Sequence, residues 1–321
     1  MSNNLLKAKL PSLKREELSG RVKTQILYYA MAIVPILWIM VFHYLPMVGL
    51  RLGFANYTFK KGVFDSDWVG LKWFMQVFQT YDFKIMMRNT LLYNISRILL
   101  VDMGCGLLFA LLLYEIKGRI PNKIFHTCML LPAFLSWTVV AACLLLFGQP
   151  DTGMLNEVLE SLGMERINIY REKEYWPYII TIAKIYKNAG FESIYFYSAL
   201  LSIDNQLFDA AKLDGANRIQ QIRHISLPAI RTVFCITLIS SLGGVLGGAV
   251  SPNYELIRGS TVLNDTTLTL GLYIRNSITA GSSYSFAQST AVGLMQSVIG
   301  VILVTGSNAV IRKINSADSL F

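Results

Sequence analysis

The chain has 321 residues, 53% of them hydrophobic and only 15% charged, with a net charge of +9. A mean hydropathy of +0.45, with the apolar residues gathered in long runs, excludes an ordinary soluble domain pair. A bilayer core about 30 Å thick needs roughly 20 apolar residues in a helix. The positive charge calls for no nucleic acid, because a basic face beside anionic lipid headgroups accounts for it.

Six segments reach spanning length: residues 26–50, 89–113, 125–147, 176–201, 232–250 and 289–311. Residues 1–25 form a polar, basic arm before the first segment, which is too long for a signal-peptide core and reads as a retained anchor. The loop 51–88 contains "WVGLKWF" (68–74), an amphipathic piece whose aromatics suit a membrane surface. The loop 148–175 opens on "GQPDTG", a turn-rich exit from the third segment. The fifth segment carries "SLGGVLGGAV" (241–250). Gly243 with Gly247, and Gly244 with Gly248, form overlapping GxxxG pairs that would let a neighbouring helix of this chain or of a partner come close. Cys105, Cys128, Cys143 and Cys235 all fall in apolar segments without metal-like spacing and read as packing residues.

Charge sets the orientation. With the first arm inside, the inner pieces (1–25, 114–124, 202–231 and 312–321) hold 15 Lys and Arg over 76 residues, and the outer pieces hold 11 over 104. The bias places both termini in the cytoplasm. Loop 51–88, with six basic residues, runs against it. The polar run 202–230 then lies in the cytoplasm, between the fourth and fifth segments.

That run contains "DAAKLDGANRIQQIRHISLP" (209–228). Residues 203–213 and 216–225 favour helix, and Gly215 supplies a turn with positive φ. Ile219, Ile222 and Ile225 should share a face. Pro228 should push Leu227 out of the helical region and begin the next span. On its residues alone the run suits a docking bracket and an ordinary amphipathic loop equally. It resembles, however, the EAA loop of ABC-importer permeases: Glu-Ala-Ala, three residues, Gly, nine residues, Ile, one residue, Leu-Pro. Asp209, Ala210, Ala211, Gly215, Ile225, Leu227 and Pro228 stand at those spacings. Asp209 replaces the usual Glu, keeping the charge with a shorter reach. The stretches "FHYLPMVGLRLGFANYTF" (42–59), "WVGLKWF", "RNTLLYN" (88–94), "LPAFLSWTVVA" (131–141) and "AVGLMQSVIGVILV" (291–304) resemble the carbohydrate-importer branch, and within it the LplB-like polysaccharide permeases.

The resemblance implies an all-α integral membrane protein with six transmembrane helices, the type I importer (MetI-like) permease fold. It would comprise a permease domain over 26–311, a coupling loop at 202–230 and a short cytoplasmic tail at 312–321. It further implies the plasma membrane of a prokaryote, two copies of a cytoplasmic ATPase that carry ATP and Mg, a second and different permease chain, and an extracellular solute-binding protein. This chain should bind no cofactor or metal itself. It contains no Gly-Lys dipeptide and hence no phosphate-cradling loop.

Charged residues inside spans point to function by default. Arg97 and Asp102 lie in the second segment, and Lys184, Lys187 and Glu192 in the fourth. The two lysines either snorkel or pair structurally, or else face a cavity with Glu192. Lys187, Asn188, Glu192, Tyr195 and Tyr197 are the candidate substrate path, because sugars are held by polar edges and aromatic faces. The expected function is an importer permease for an oligosaccharide. The alternatives are the same machine for a solute such as a peptide, a membrane receptor, or a membrane enzyme. An enzyme would need paired carboxylates, and Asp102 and Glu192 are the only acidic residues in the expected spans.

Overall fold

The computed structural model describes residues 24–247 and 250–320. Most of the expected arm 1–25, Gly248 of the second GxxxG pair and Phe321 of the tail lie outside the described residues. In chain order, α1 (Thr24–Phe54) is a 31-residue apolar helix whose most hydrophobic stretch buries nothing within this chain. Only its end docks, with Gly53 against Ala291 and Leu294. A small antiparallel ribbon follows, β1 (Ala55–Asn56) with β2 (Asp67–Trp68). Next comes α2 (Lys72–Gln79), which buries Trp73 and Val77, one turn apart. "WVGLKWF" is thus divided. Trp68 stacks on Phe54 at 5.3 Å between ring centroids, and Trp73 sinks inward and donates from Nε1 to the Ala55 carbonyl at 2.8 Å.

α3 (Phe83–Glu115) is 33 residues long. α4 (Arg119–Phe134) and α5 (Trp137–Phe147) meet at 92°, so the third expected span is not one helix. Pro132 brings no N–H to the ladder, Leu135 is extended, and Ser136 caps α5 by accepting from the Val139 N–H. α6 (Met154–Ser161) lies in the following loop. α7 (Trp176–Leu201) coincides with the fourth expected span; its 26 residues reach about 39 Å. Then come α8 (Asn205–Leu213), α9 (Arg218–Ala229) and α10 (Arg231–Gly243), the last two bent by 59°. α11 (Val250–Ile257), α12 (Asn264–Thr267), α13 (Leu270–Ala280) and α14 (Ser283–Ile314) complete the bundle. A single turn, Ser316–Asp318, follows.

Among the described residues three helices, α1, α3 and α14, are long and apolar enough to cross a membrane, and up to five spans result if each bent pair counts once. The remaining expected span is α7, which carries Lys184, Lys187 and Glu192. The fifth expected span ends early. α10 stops at Gly243 and Gly247 is not helical, so the first GxxxG pair does not lie on one helix face. The close approach is nevertheless real, and within this chain: a Cβ at Gly300 of α14 would lie 2.6 Å from the Gly243 carbonyl.

Among the described residues three apolar cores hold the helices together, the smallest being Trp73 of α2 against Ala287 and Ala291 of α14. One joins Met86 and Tyr93 of α3, Trp176 and Ile180 of α7, Leu256 of α11 and Leu272 of α13. Another joins Ile98 and Ala110 of α3 to Phe196 and Leu200 of α7, with Ile230 and Leu246. Between them α7 also meets α4 at Gly190, where any Cβ would collide with the Met129 carbonyl. Overpacking at such a contact costs about 1–3 kcal/mol. Gly190→Ala should therefore lower the melting temperature of the detergent-purified chain; an unchanged melting curve would show that the α4–α7 contact gives way freely.

Candidate functional site

A cavity of about 280 Å³ lies where α3, α5 and α7 face the break after α10. Two helices supply its polar walls. On α3, Thr90, Asn94 and Arg97 stand at i, i+4 and i+7, one face of a helix; on α7, Lys184, Asn188 and Glu192 stand at i, i+4 and i+8. Trp137, at the start of α5, adds an aromatic wall. One end of the cavity is fastened by hydrogen bonds between α3 and the 264–270 segment. Tyr93 donates to the Thr266 carbonyl at 2.6 Å, and Thr90 Oγ1 accepts from the Leu270 N–H at 2.9 Å. Nearby, Lys173 and Asp265 pair at 2.6 Å. That hydrogen bond, with the opposite charge, holds the Asp265 carboxyl below the usual carboxylate range.

Asp102 is 2% exposed at its side chain and accepts from Arg97 Nη1 and Ser241 Oγ, both at 2.8 Å. Residues five apart on an α-helix point about 140° away from each other. Here α3 widens into π-type turns over Arg97–Cys105, which brings residues i and i+5 into line. The pair is a product of that widening.

The two lysines part company. Both are buried, so neither snorkels to an interface. Lys187 donates to the Ala133 carbonyl at 2.7 Å, 5.5 Å from the centre of the Trp137 ring, and braces the α4–α5 corner without lining the cavity. Lys184 lines the cavity. Its amine sits 5.3 Å from the centre of the Tyr93 ring and has no hydrogen-bond partner among the described residues. Glu192 is shared with an adjoining pocket of about 350 Å³, where Tyr195 faces Ile236, Thr237 and Ser240 of α10. Tyr197 looks elsewhere: its hydroxyl donates to Asn122 Oδ1 at 3.0 Å on α4. The structure thus gathers Asn188, Glu192 and Tyr195 along one face of α7 and leaves Lys187 and Tyr197 outside it. Thr90, Tyr93, Asn94, Trp137 and Ser241 join the site although sequence reasoning did not single them out. The helical spacing of polar residues in 90–97 was the available signal. Among the described residues no cluster of three or more His, Cys, Asp or Glu could hold a metal.

At the opposite end of α7, α8 and α9 form the expected bracket. Asp204 caps α8, Gly215 turns the chain at φ +80°, and Asn217 and Gln220 cap α9 reciprocally. Nothing lies within 4 Å of a Cβ built at Gly215, so backbone conformation alone calls for glycine there. Asp209, Ala210, Leu227 and Pro228 are exposed and Ala211 and Ile225 half-buried; Asp209 pairs with Lys212. Ala211, Gly215, Ala216, Gln220, His224 and Ile225 line a shallow groove of about 310 Å³, beside Leu213 and Ile219, which are 91% and 76% exposed. The bracket is held to α3 by Phe208 against Tyr114 and by Arg218 on Glu115 at 3.5 Å.

Two local expectations are corrected here. Leu227 is helical (φ −62°, ψ −44°), and the break falls at Ile230. Ile219 is exposed while Ile222 and Ile225 are half-buried. Both follow from a π-type turn over Ile222–Ser226. It relieves the usual clash of a proline ring with the carbonyl four residues back, here that of His224, and it rotates the face on which Ile225 lies.

Residues 103–316 match the family model described as binding-protein-dependent transport system inner membrane component. The chain is 34% identical to Protein LplB of Bacillus subtilis (strain 168), over 91% of this chain and 90% of LplB. It is 32% identical to the polygalacturonan/rhamnogalacturonan transport system permease protein YteP of the same organism, over 94% of this chain and 92% of YteP. Among solved structures, it resembles a chain of a bacterial alginate ABC transporter in complex with an alginate pentasaccharide-bound periplasmic protein. There the TM-score is 0.81, the identity 29%, and the coverage 92% of this chain and 97% of that chain.

Proposed function

This chain belongs to the inner membrane components of binding-protein-dependent transport systems, and from that membership we propose that it is the permease subunit through which an ATP-driven importer passes an acidic oligosaccharide. The membrane location and the sugar-transport class follow from the relatives. The acidic substrate is supported by one observation above the rest, the amine of Lys184. Asp102 is already paired with Arg97 and hydrogen-bonded by Ser241, which leaves Lys184 as the cavity's cation without a hydrogen bond among the described residues. It is placed to meet a uronate carboxylate, with Asn94 and Asn188 for hydroxyls and Trp137 for an apolar sugar face. Glu192 stands two turns, about 12 Å, further along α7, beside the adjoining pocket. YteP is named for polygalacturonan and rhamnogalacturonan transport, and a similar solved transporter is described as importing the acidic polysaccharide alginate.

In this reading the 202–230 end is cytoplasmic, and all six expected segments serve as spans. Two ATPase copies dock on α8–α9 of this chain and of a second, different permease, and a solute-binding protein delivers the sugar at the other end. ATP binding can drive transport only by favouring one of two packings of the same helices. The apolar, unburied length of α1 is left for lipid or for the second permease.

The test begins with extraction of the tagged chain in mild detergent and identification of what comes with it. An ATPase and a second permease are expected. In proteoliposomes holding that complex and its binding protein, an alginate or galacturonate pentasaccharide should be taken up at least about tenfold faster than a neutral arabino-oligosaccharide or a peptide, a ratio worth 1.4 kcal/mol. Equal uptake of the neutral sugar would remove the acidic substrate. Repeated isolation of the chain alone, where a known importer stays intact, would remove the transporter reading.

A further inference from the structure

The turn that follows α14 is tied to the bend beneath α10. Asp318 is 4% exposed, and both of its oxygens are engaged. Oδ2 accepts from Arg231 Nε at 2.6 Å, from a second guanidinium nitrogen of Arg231 and from Asn315 Nδ2 at 2.8 Å; Oδ1 accepts from Thr232 Oγ1 at 2.6 Å. The hydrogen bond from Thr232, with those from Arg231 and Asn315, keeps this carboxyl below the usual carboxylate range. The next stretch returns to α14, where the Leu320 N–H donates to Asn308 Oδ1 at 2.7 Å. Arg231 and Thr232 are the first residues after Ile230, the point where α9 and α10 bend by 59°.

That bend is the mechanical link between the two parts of the site. α9 carries half of the exposed bracket. α10 carries Thr237 and Ser240 into the pocket beside Glu192, and Ser241 onto Asp102. A push on α9 reaches the cavity through Ile230, and a joint of free angle would dissipate it. Several charge-assisted hydrogen bonds on one carboxylate resist such loosening. We propose that Asp318 is a positioning residue for energy transmission: the segment Asn315–Leu320 clamps the first turn of α10 to α14, so that movement of the α8–α9 bracket is delivered to the cavity. The inference rests on the assignment of α8–α9 as the ATPase-docking element.

The test uses the complete transporter in lipid nanodiscs, with Cys105, Cys128, Cys143 and Cys235 of this chain replaced by alanine and Asn188→Cys as a reporter in the cavity. The reporter's rate of maleimide labelling is compared without nucleotide and with Mg·ATP plus vanadate, beside the rate of Mg·ATP hydrolysis. Asp318→Ala should keep at least half of the hydrolysis rate yet shrink the nucleotide-dependent change in labelling about fivefold or more. Thr232→Val, which removes a single hydrogen bond, should fall between it and the parent, and Asp318→Asn, which keeps acceptor oxygen but loses the charge, should do likewise. A purely structural role would lower hydrolysis and complex yield in step with the labelling change, and that result overturns the proposal. So does an unaltered labelling change in both Asp318→Ala and Thr232→Val. Gly215→Trp is run in parallel: if it too leaves the change intact, the docking role of α8–α9 falls, separately from the clamp.

Discussion

Replacing Gly215 by tryptophan should abolish solute uptake while the chain still inserts and assembles. Gly215 sits at φ +80°, where an L-residue costs about 1–2 kcal/mol. An indole there would also project beside the groove lined by Ala211, Ala216 and His224, on the face proposed to receive the ATPase. Gly215→Ala separates the two effects, because it carries the backbone strain with little bulk. Uptake and ATP hydrolysis are measured together in proteoliposomes. The expected order is near-normal uptake for alanine and loss of at least about tenfold for tryptophan, the equivalent of 1.4 kcal/mol, with hydrolysis continuing. Normal uptake by the tryptophan variant would show that this surface is not where energy enters. Equal losses in both variants would assign the effect to strain in the turn.

Removing Arg97 should destabilise the centre of the bundle. Arg97→Met leaves Asp102, 2% exposed at its side chain, with a hydroxyl from Ser241 and no hydrogen-bonded counter-charge, Lys184 across the cavity being the remaining cation. Breaking a fully buried pair by removing one partner costs about 3–5 kcal/mol, whereas replacing both by apolar groups is often nearly neutral; Arg97 is 29% exposed, which puts the cost here at or below the lower end of that range. Arg97→Met should therefore lower the melting temperature of the purified chain sharply, and Arg97→Met with Asp102→Leu should restore most of it. A single variant as stable as the parent would mean that the pair contributes little. A double variant no better than the single one would mean that Arg97 is needed for something other than Asp102. If the pair also shapes the cavity, the double variant will be stable and yet impaired in uptake.

Much of this protein is written locally. Hydrophobic length marks α1, α3 and α14, because twenty apolar residues in a row need no partner to declare themselves. The bounds of α7 coincide with the apolar and aromatic run 176–201 despite its three charges. The bracket within 202–230, with helices expected at 203–213 and 216–225, is legible for a similarly local reason: the turn at Gly215 is set by chemistry within a few residues. The capping of α9 by Asn217 and Gln220 is equally short-range. Even the polar stripe Thr90, Asn94, Arg97 was present as a helical spacing, although only Arg97 drew notice.

What composition and spacing did not determine depends on neighbours distant in the chain or on small departures from regular helix. The wide turns of 97–105 pair Arg97 with Asp102, and Ser241, 139 residues away, completes the site. Lys184 and Lys187 are indistinguishable in sequence, three residues apart on one helix. The Ala133 carbonyl takes one amine and the cavity receives the other. Tyr195 and Tyr197 divide in the same way, since two residues along a helix turn a side chain by about 200°. The corner at Ser136 and the end of α10 at Gly243 need both the breaking residues and the helices that fill the space beyond. The clamp of Asp318 on Arg231 and Thr232 spans 87 and 86 residues of chain, respectively. Periodicity reports which face of a helix is apolar; which polar group meets which is decided by packing, because only packing brings α3, α7, α10 and α14 to one place.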